Sequence, residues 1–292
     1  MLGNVELVID AKAQLGEGPS WDREQQVLYW VDIEGKKLNI FDPSSGKNRE
    51  IPVDQRVGAV VPRNFGGAIA AMENGFYTLD LETGETRPII DPEEGITENR
   101  FNDGKCDPEG RFWAGTMSYN GIPENGALYC LDRDMNVEKK VDHVSTSNGL
   151  AWSPDNRFMY FIDTPTKQVV RYEFDQDTGT IKNPAIVVEI PDGEGKPDGM
   201  TIDTEGNLWI AHWGGSKISV WNPDKGERLR TIPVPALNVT SCTFGGKEMN
   251  ELYITTASVG MEEEDLRKYP SAGGLFKVET EVTGAPSYPF KG

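Results

Sequence analysis

Cysteine is scarce in this chain of 292 residues. Cys106, Cys130 and Cys242 are an odd number with no pairing pattern. That excludes a disulfide scaffold and suits small buried residues in a reducing cytoplasm, the expected location. Positive charge is scarce too: 29 bases stand against 47 acids, a net charge of −18. Nucleic acid and an anionic membrane are therefore excluded as expected partners. The charges are dispersed, as on a solubilising surface. No run of about 18 apolar residues exists, so no membrane span is expected. The opening MLGNVELVIDAKAQLGEG lacks a basic segment followed by an apolar run, so no secretory signal is expected. Sustained helical periodicity is missing. The best candidate for a helical turn is MEEEDLRKY at 261–269.

What the chain does have is a repeat. Short runs rich in Val, Ile, Tyr, Phe and Trp read as strands, among them VLYWVD, RFWAGT, FMYFID and NLWIAH. Each is followed by another strand and a turn built from Asp, Pro, Asn or Gly, as in KLNIFDPSSG, VVRYEFDQDTG and ISVWNPDKG. The units recur around Tyr29, Ile69, Trp113, Tyr160, Trp209 and Tyr253, at intervals of 40 to 49 residues. That spacing belongs to propeller blades. Four strands per unit and six units predict an all-β, six-bladed β-propeller, with residues 1–292 as one domain.

Four units carry a polar residue at one register position: Glu17 in GEGPSW, Asn102 in NDGKC, Asn148 in NGLAW and Asp198 in DGMTI. Each stands four residues before an anchor, namely Trp21, Cys106, Trp152 and Ile202. The first strand of a blade lines the central channel, so these side chains are expected at one mouth. The second strand returns to that mouth, which brings Asp32, Asp163 and His212 to the same face. The two remaining units place Val57 and Thr240 at the register position, so the pocket wall is expected to be apolar at Val57.

Two carboxylates and an amide oxygen, from Glu17, Asn148 and Asp198, form an all-oxygen set for a hard divalent cation. Three protein ligands leave positions open for water and substrate, as in a catalytic site. Without an ion, the two acids would repel and one would hold a proton. Arg100 precedes Asn102 by two residues and shares its strand face. A guanidinium beside an amide suits hydroxyls or a carboxylate. Blander readings compete. Asn148–Gly149 and Asp198–Gly199 could be simple turns. Asp32 and Asp163 read better as caps of strand ends, and His212 as a packed, hydrogen-bonded imidazole. Trp21, Trp113, Trp152 and Trp209 read as blade-core fillers, Cys106 and Cys242 as small core residues. Coincidence of register across four blades favours a site.

The stretches LGEGPSWD, RFNDGKCDPEGRFWAGTM, SNGLAWSPD, PDGMTIDTEGNLWIAHWGG, TSCTFGG and AGGLFKV are similar to the regucalcin-like family of senescence marker protein 30, gluconolactonase and luciferin-regenerating enzyme. The resemblance runs from Glu17 to about Val278. It implies a six-bladed propeller that hydrolyses sugar lactones with one divalent cation (Ca, Mn, Mg or Zn). It places the metal ligands on Glu17, Asn148 and Asp198, with Asp198 also the general base, and the substrate contacts on Arg100 and Asn102. Some members carry a substrate-binding Glu just after AGTM, where this chain has Ser118, Tyr119 and Asn120. Asn120 is the expected substitute, and the substrate preference stays open there. The reaction expected is attack of water on the lactone carbonyl, with Asn148 assisting the ion at the oxyanion. Rival readings are a calcium-binding regulatory protein without significant catalysis, a hydrolase of other lactones or esters, and a protein-interaction platform.

Overall fold

The computed structural model describes residues 3–292. Among these, six antiparallel sheets of four strands each form a ring, and the chain is a six-bladed β-propeller. The innermost strands are Gly16–Asp22, Val57–Pro62, Asn99–Cys106, Ser147–Trp152, Lys196–Ile202 and Asn238–Gly245. Each contacts the next, and the last contacts the first. These strands are almost wholly buried. The outermost strands carry the charge, as in VEKKVDHV at Val137–Val144 and ERLRTIP at Glu227–Pro233. Charged edges discourage pairing with another chain.

Aromatic pairs join blade to blade. Trp21 stacks on Tyr253 at 5.6 Å, Trp209 meets Phe244 edge-on at 5.1 Å, and Trp113 meets Trp152 at 5.9 Å. The tryptophans are core fillers, as their spacing implied. The turn after each third strand follows its sequence. Gly179 and Gly226 adopt positive φ and return a hydrogen bond to Asp175 and Asn222. The expected helical turn is the helix Glu263–Lys268.

The ring is closed by a strand that the repeat count did not foresee. Glu6–Ile9 pairs with Leu275–Glu279 and becomes the outer strand of the sixth blade. The C-terminal segment then crosses the face away from the expected site. Its Gly284 and Ala285 amides bond to Met249 and Ile202, and its Phe290 and Lys291 amides to Pro62 and Gly110. Phe290 is fully buried.

Candidate active site

The register residues stand at or beside bulges in the innermost strands. Ser147 pairs with Asp163 and Leu150 with Phe161, so Asn148 and Gly149 together oppose Ile162. Likewise Asp198 and Gly199 oppose Ala211, Asn102 and Asp103 oppose Gly115, and Gly18 and Pro19 after Glu17 oppose Trp30. Two residues against one is the signature of a β-bulge, a device that re-aims side chains. Asn148–Gly149 and Asp198–Gly199 are therefore strand residues, not hairpin turns. Glycine follows because the strands crowd at the axis. A Cβ on Gly199 would lie 2.0 Å from Ser241 Oγ, and one on Gly149 would lie 2.8 Å from Asp198 O.

Glu17, Arg100, Asn102, Asn148 and Asp198 all line one cavity of ≈ 240 Å³ at a mouth of the channel. None is more than 7% exposed. A hydrogen-bonded arm runs through them. Arg100 Nη1 donates to Asn102 Oδ1 (2.8 Å), Asn102 Nδ2 donates to Asn148 Oδ1 (3.2 Å), and Asn148 Nδ2 donates to Thr164 Oγ1 (2.8 Å). Asn148 thus turns its oxygen, not its N–H, toward Asn102. Its Nδ2 spends one N–H on Thr164 and keeps a second.

Among the described residues, Glu17 Oε2 accepts only the Gly18 amide, at 2.9 Å. Burial, then the charge of Asp103, pushes the Glu17 carboxyl up to about 8, against the opposing pull of the Gly18 amide and of Arg100. Burial, then the charges of Glu17 and Asp103, drives Asp198 well above the usual carboxylate range. Two buried acids with so little compensation form a site that a divalent cation would fit. The donor set is two carboxylates and an amide; no cluster of three or more His, Cys, Asp or Glu side chains is assembled among the described residues.

Two expectations need correction, and one residue lies elsewhere than the arm. Val57 is buried in the core between the first two blades, and Thr240 bonds to Gly16 O and Thr255. Neither lines the cavity, whose apolar wall comes from Leu15, Met117, Pro165 and Trp213. Asp32 and Asp163 stand one step behind. Asp32 accepts the Gln14 and Leu15 amides, and Asp163 those of Ser145 and Thr146, which fixes the loops carrying Leu15 and Thr146. His212 bonds Glu194 O and Ser219 in the same manner, so its packed reading holds. Asn120 is exposed in the turn after Ser118 and is not among the cavity-lining residues. Its neighbour Tyr119 lies closer: its ring is 6.0 Å from the Arg100 guanidinium and its hydroxyl donates to Glu73 (2.6 Å).

Sequence reasoning missed four neighbours. Asp103 is a third buried carboxylate, partly offset by Lys105. Leu15, Thr146 and Lys196 line the cavity two residues before Glu17, Asn148 and Asp198, as Arg100 does before Asn102. The rule that found Arg100 would have found them.

A family model described as the SMP-30/Gluconolactonase/LRE-like region matches residues 15–258. The chain belongs to this family. It is 44% identical over 286 residues to the Bacillus subtilis protein named "Putative sugar lactone lactonase YvrE", covering 98% of each. It is 41% identical to regucalcin of Danio rerio, covering 99% of this chain and 98% of the relative. A solved luciferin-regenerating enzyme superposes with a TM-score of 0.93 at 33% identity, covering 99% of each chain. A calcium-binding protein, regucalcin, from Agrobacterium tumefaciens also superposes at 0.93, with 25% identity over 99% of this chain and 97% of that one.

Proposed function

We propose that the protein is a lactonase that opens sugar lactones to sugar acids, using a divalent cation (Ca, Mn, Mg or Zn) held by Glu17, Asn148 and Asp198. The observation that carries this reading is one small cavity joining two weakly compensated buried acids to a guanidinium–amide arm. A bound cation would polarise the lactone carbonyl and offset the two acids. Asp198 takes a proton from the attacking water. The water oxygen bonds to the carbonyl carbon, the bond to the ring oxygen breaks, and Asp198 returns the proton to that oxygen. Arg100 holds the far end of the substrate. Asn102 keeps Arg100 and Asn148 in place by a hydrogen bond to each and is itself anchored to Ser147 O. Of the substrate contacts assigned from sequence, Asn120 is the one without a place in this arm.

The test is a lactone panel assayed by proton release with metal-stripped protein and separate metal add-backs. Turnover should vanish on stripping and return with one or more of the ions. Asp198→Asn should lose at least about 10²-fold in kcat while unfolding at a similar temperature. A variant retaining a tenth of the activity would remove Asp198 from the mechanism. The name of the Agrobacterium structure favours a second reading, a calcium-binding protein without catalysis. That reading expects calcium binding with no turnover of any lactone.

A further inference from the structure

The cavity has two tiers of opposite character. The inner tier is Glu17, Asn102, Asn148 and Asp198; the outer tier, two residues earlier on each chain segment, is Leu15, Arg100, Thr146 and Lys196. The outer tier holds two bases and no acid. Arg100 is 6% exposed. Its Nη1 is spent on Phe101 O and Asn102 Oδ1, but among the described residues Nε and Nη2 donate to nothing, and they are not sealed in by protein. Lys196 stands at the exposed rim, and its Nζ has no hydrogen-bond or ion-pair partner among the described residues. Glu194, two residues before it, is occupied by Lys217 (2.6 Å) and Arg228.

A neutral polyol could fill the hydrogen-bonding capacity of this tier but not its charge. The buried Arg100 guanidinium feels the charges of Glu34 and Glu17, but its Nε and Nη2 meet no carboxylate at hydrogen-bond distance among the described residues, and such burial is costly. A carboxylate offers two oxygens at the spacing of the free Nε–Nη2 fork, the bidentate geometry that arginine favours. Glu17, Asp198 and the neighbouring Asp103 stand against Arg100, Lys196 and Lys105, so a bound divalent cation would leave the cavity positive.

We propose that the substrate is an anionic lactone, carrying a carboxylate remote from its ring carbonyl, as in the lactone of a sugar diacid. Arg100 and Lys196 grip that carboxylate while the lactone carbonyl lies at the inner tier. This rests on the lactonase reading and narrows it. The net charge of −18 acts against an approaching anion. Beyond about 8 Å, however, physiological salt screens that field, whereas contacts inside the cavity are screened far less.

The experiment compares glucono-lactone with glucaro-lactone on metal-loaded wild-type protein and on Lys196→Gln. Wild type should favour the acidic lactone in kcat/KM by at least about tenfold. Lys196→Gln should lose most of that preference, its kcat/KM falling further on the acidic lactone than on the neutral one. Equal rates on both lactones in wild type, or an equal loss on both in the variant, would overturn the proposal. Calorimetric binding of gluconate and glucarate separates this idea from its parent. If no lactone is hydrolysed but glucarate binds more tightly and loses that advantage in Lys196→Gln, the lactonase reading fails and the anion subsite stands. Equal binding of the two acids sinks the subsite.

Discussion

Single residues here divide by what surrounds their charge. Glu17 is held without a strong basic partner, which is tolerable only if it is protonated or faces a cation. Glu17→Gln keeps an oxygen at the site and removes the charge. Titration of stripped protein with Mn²⁺ or Ca²⁺ should show affinity reduced on the order of tenfold or more, while the metal-free variant unfolds no earlier than wild type. Unchanged affinity would place any ion elsewhere. His212 shows the opposite case, a base buried in its neutral form. It is fully buried, and burial brings it from its ordinary 6.5 down to about 4. The unfolded chain therefore binds a proton that the native state refuses. The stability His212 contributes is complete above pH 6.5 and drains away as pH falls toward 4. In His212→Gln, denaturant melts between these pH values should decline less steeply than in wild type, the gap closing by a few kcal/mol. Parallel declines would show that another group governs the acid response.

At the level of the strand, the bulge is what makes four register positions into a site. It also decides what could be read in advance. Arg100 was legible because alternation holds on the stretch before the bulge, and positions two apart share a face. Asp103 was not. On a regular strand it would point away from the side taken by Asn102, but both residues oppose Gly115 and alternation fails there. Val57 was misread for the same reason in reverse, since register alone does not say which side chains reach open space. The glycine after Asn148 and after Asp198 was legible as a residue and not as a reason. Its role is the close approach of the next blade, which no local pattern encodes. Gly199→Ala tests this. Its Cβ would meet Ser241 Oγ at 2.0 Å and Ser241 Cα at 2.8 Å, so a backbone has to move. The expected cost is about 1–3 kcal/mol by thermal melt. Adding Ser241→Gly should recover part of it, because it removes the nearest atoms. A melt identical to wild type would mean the strands have slack at the axis.

For the molecule as a whole, the period announced the ring but not its closure. Hairpin turns between consecutive strands leave a sequence signature; a strand borrowed from the far end of the chain leaves only ELVI, four residues with no turn beside it. Its partner Leu275–Glu279 lies near the other terminus, so the pairing depends on the ring having formed. Residues Glu6 and Leu7 are exposed while Val8 and Ile9 are half-buried, and Val8 and Ile9 pack on the largest of the cores. The strand therefore contributes less by burial than by covering an edge. Removing residues 1–9 would leave the sixth blade with three strands and bare the backbone of Leu275–Glu279, a segment reading LFKVE. Open edges of that kind invite pairing with a second copy. The truncated protein should melt roughly 5–10 °C lower and should self-associate with rising concentration in light scattering. A monomer with the wild-type melt would show that the ring holds without its borrowed strand. Closure would then rest on the C-terminal segment, which ties the second, third, fifth and sixth blades together across the opposite face.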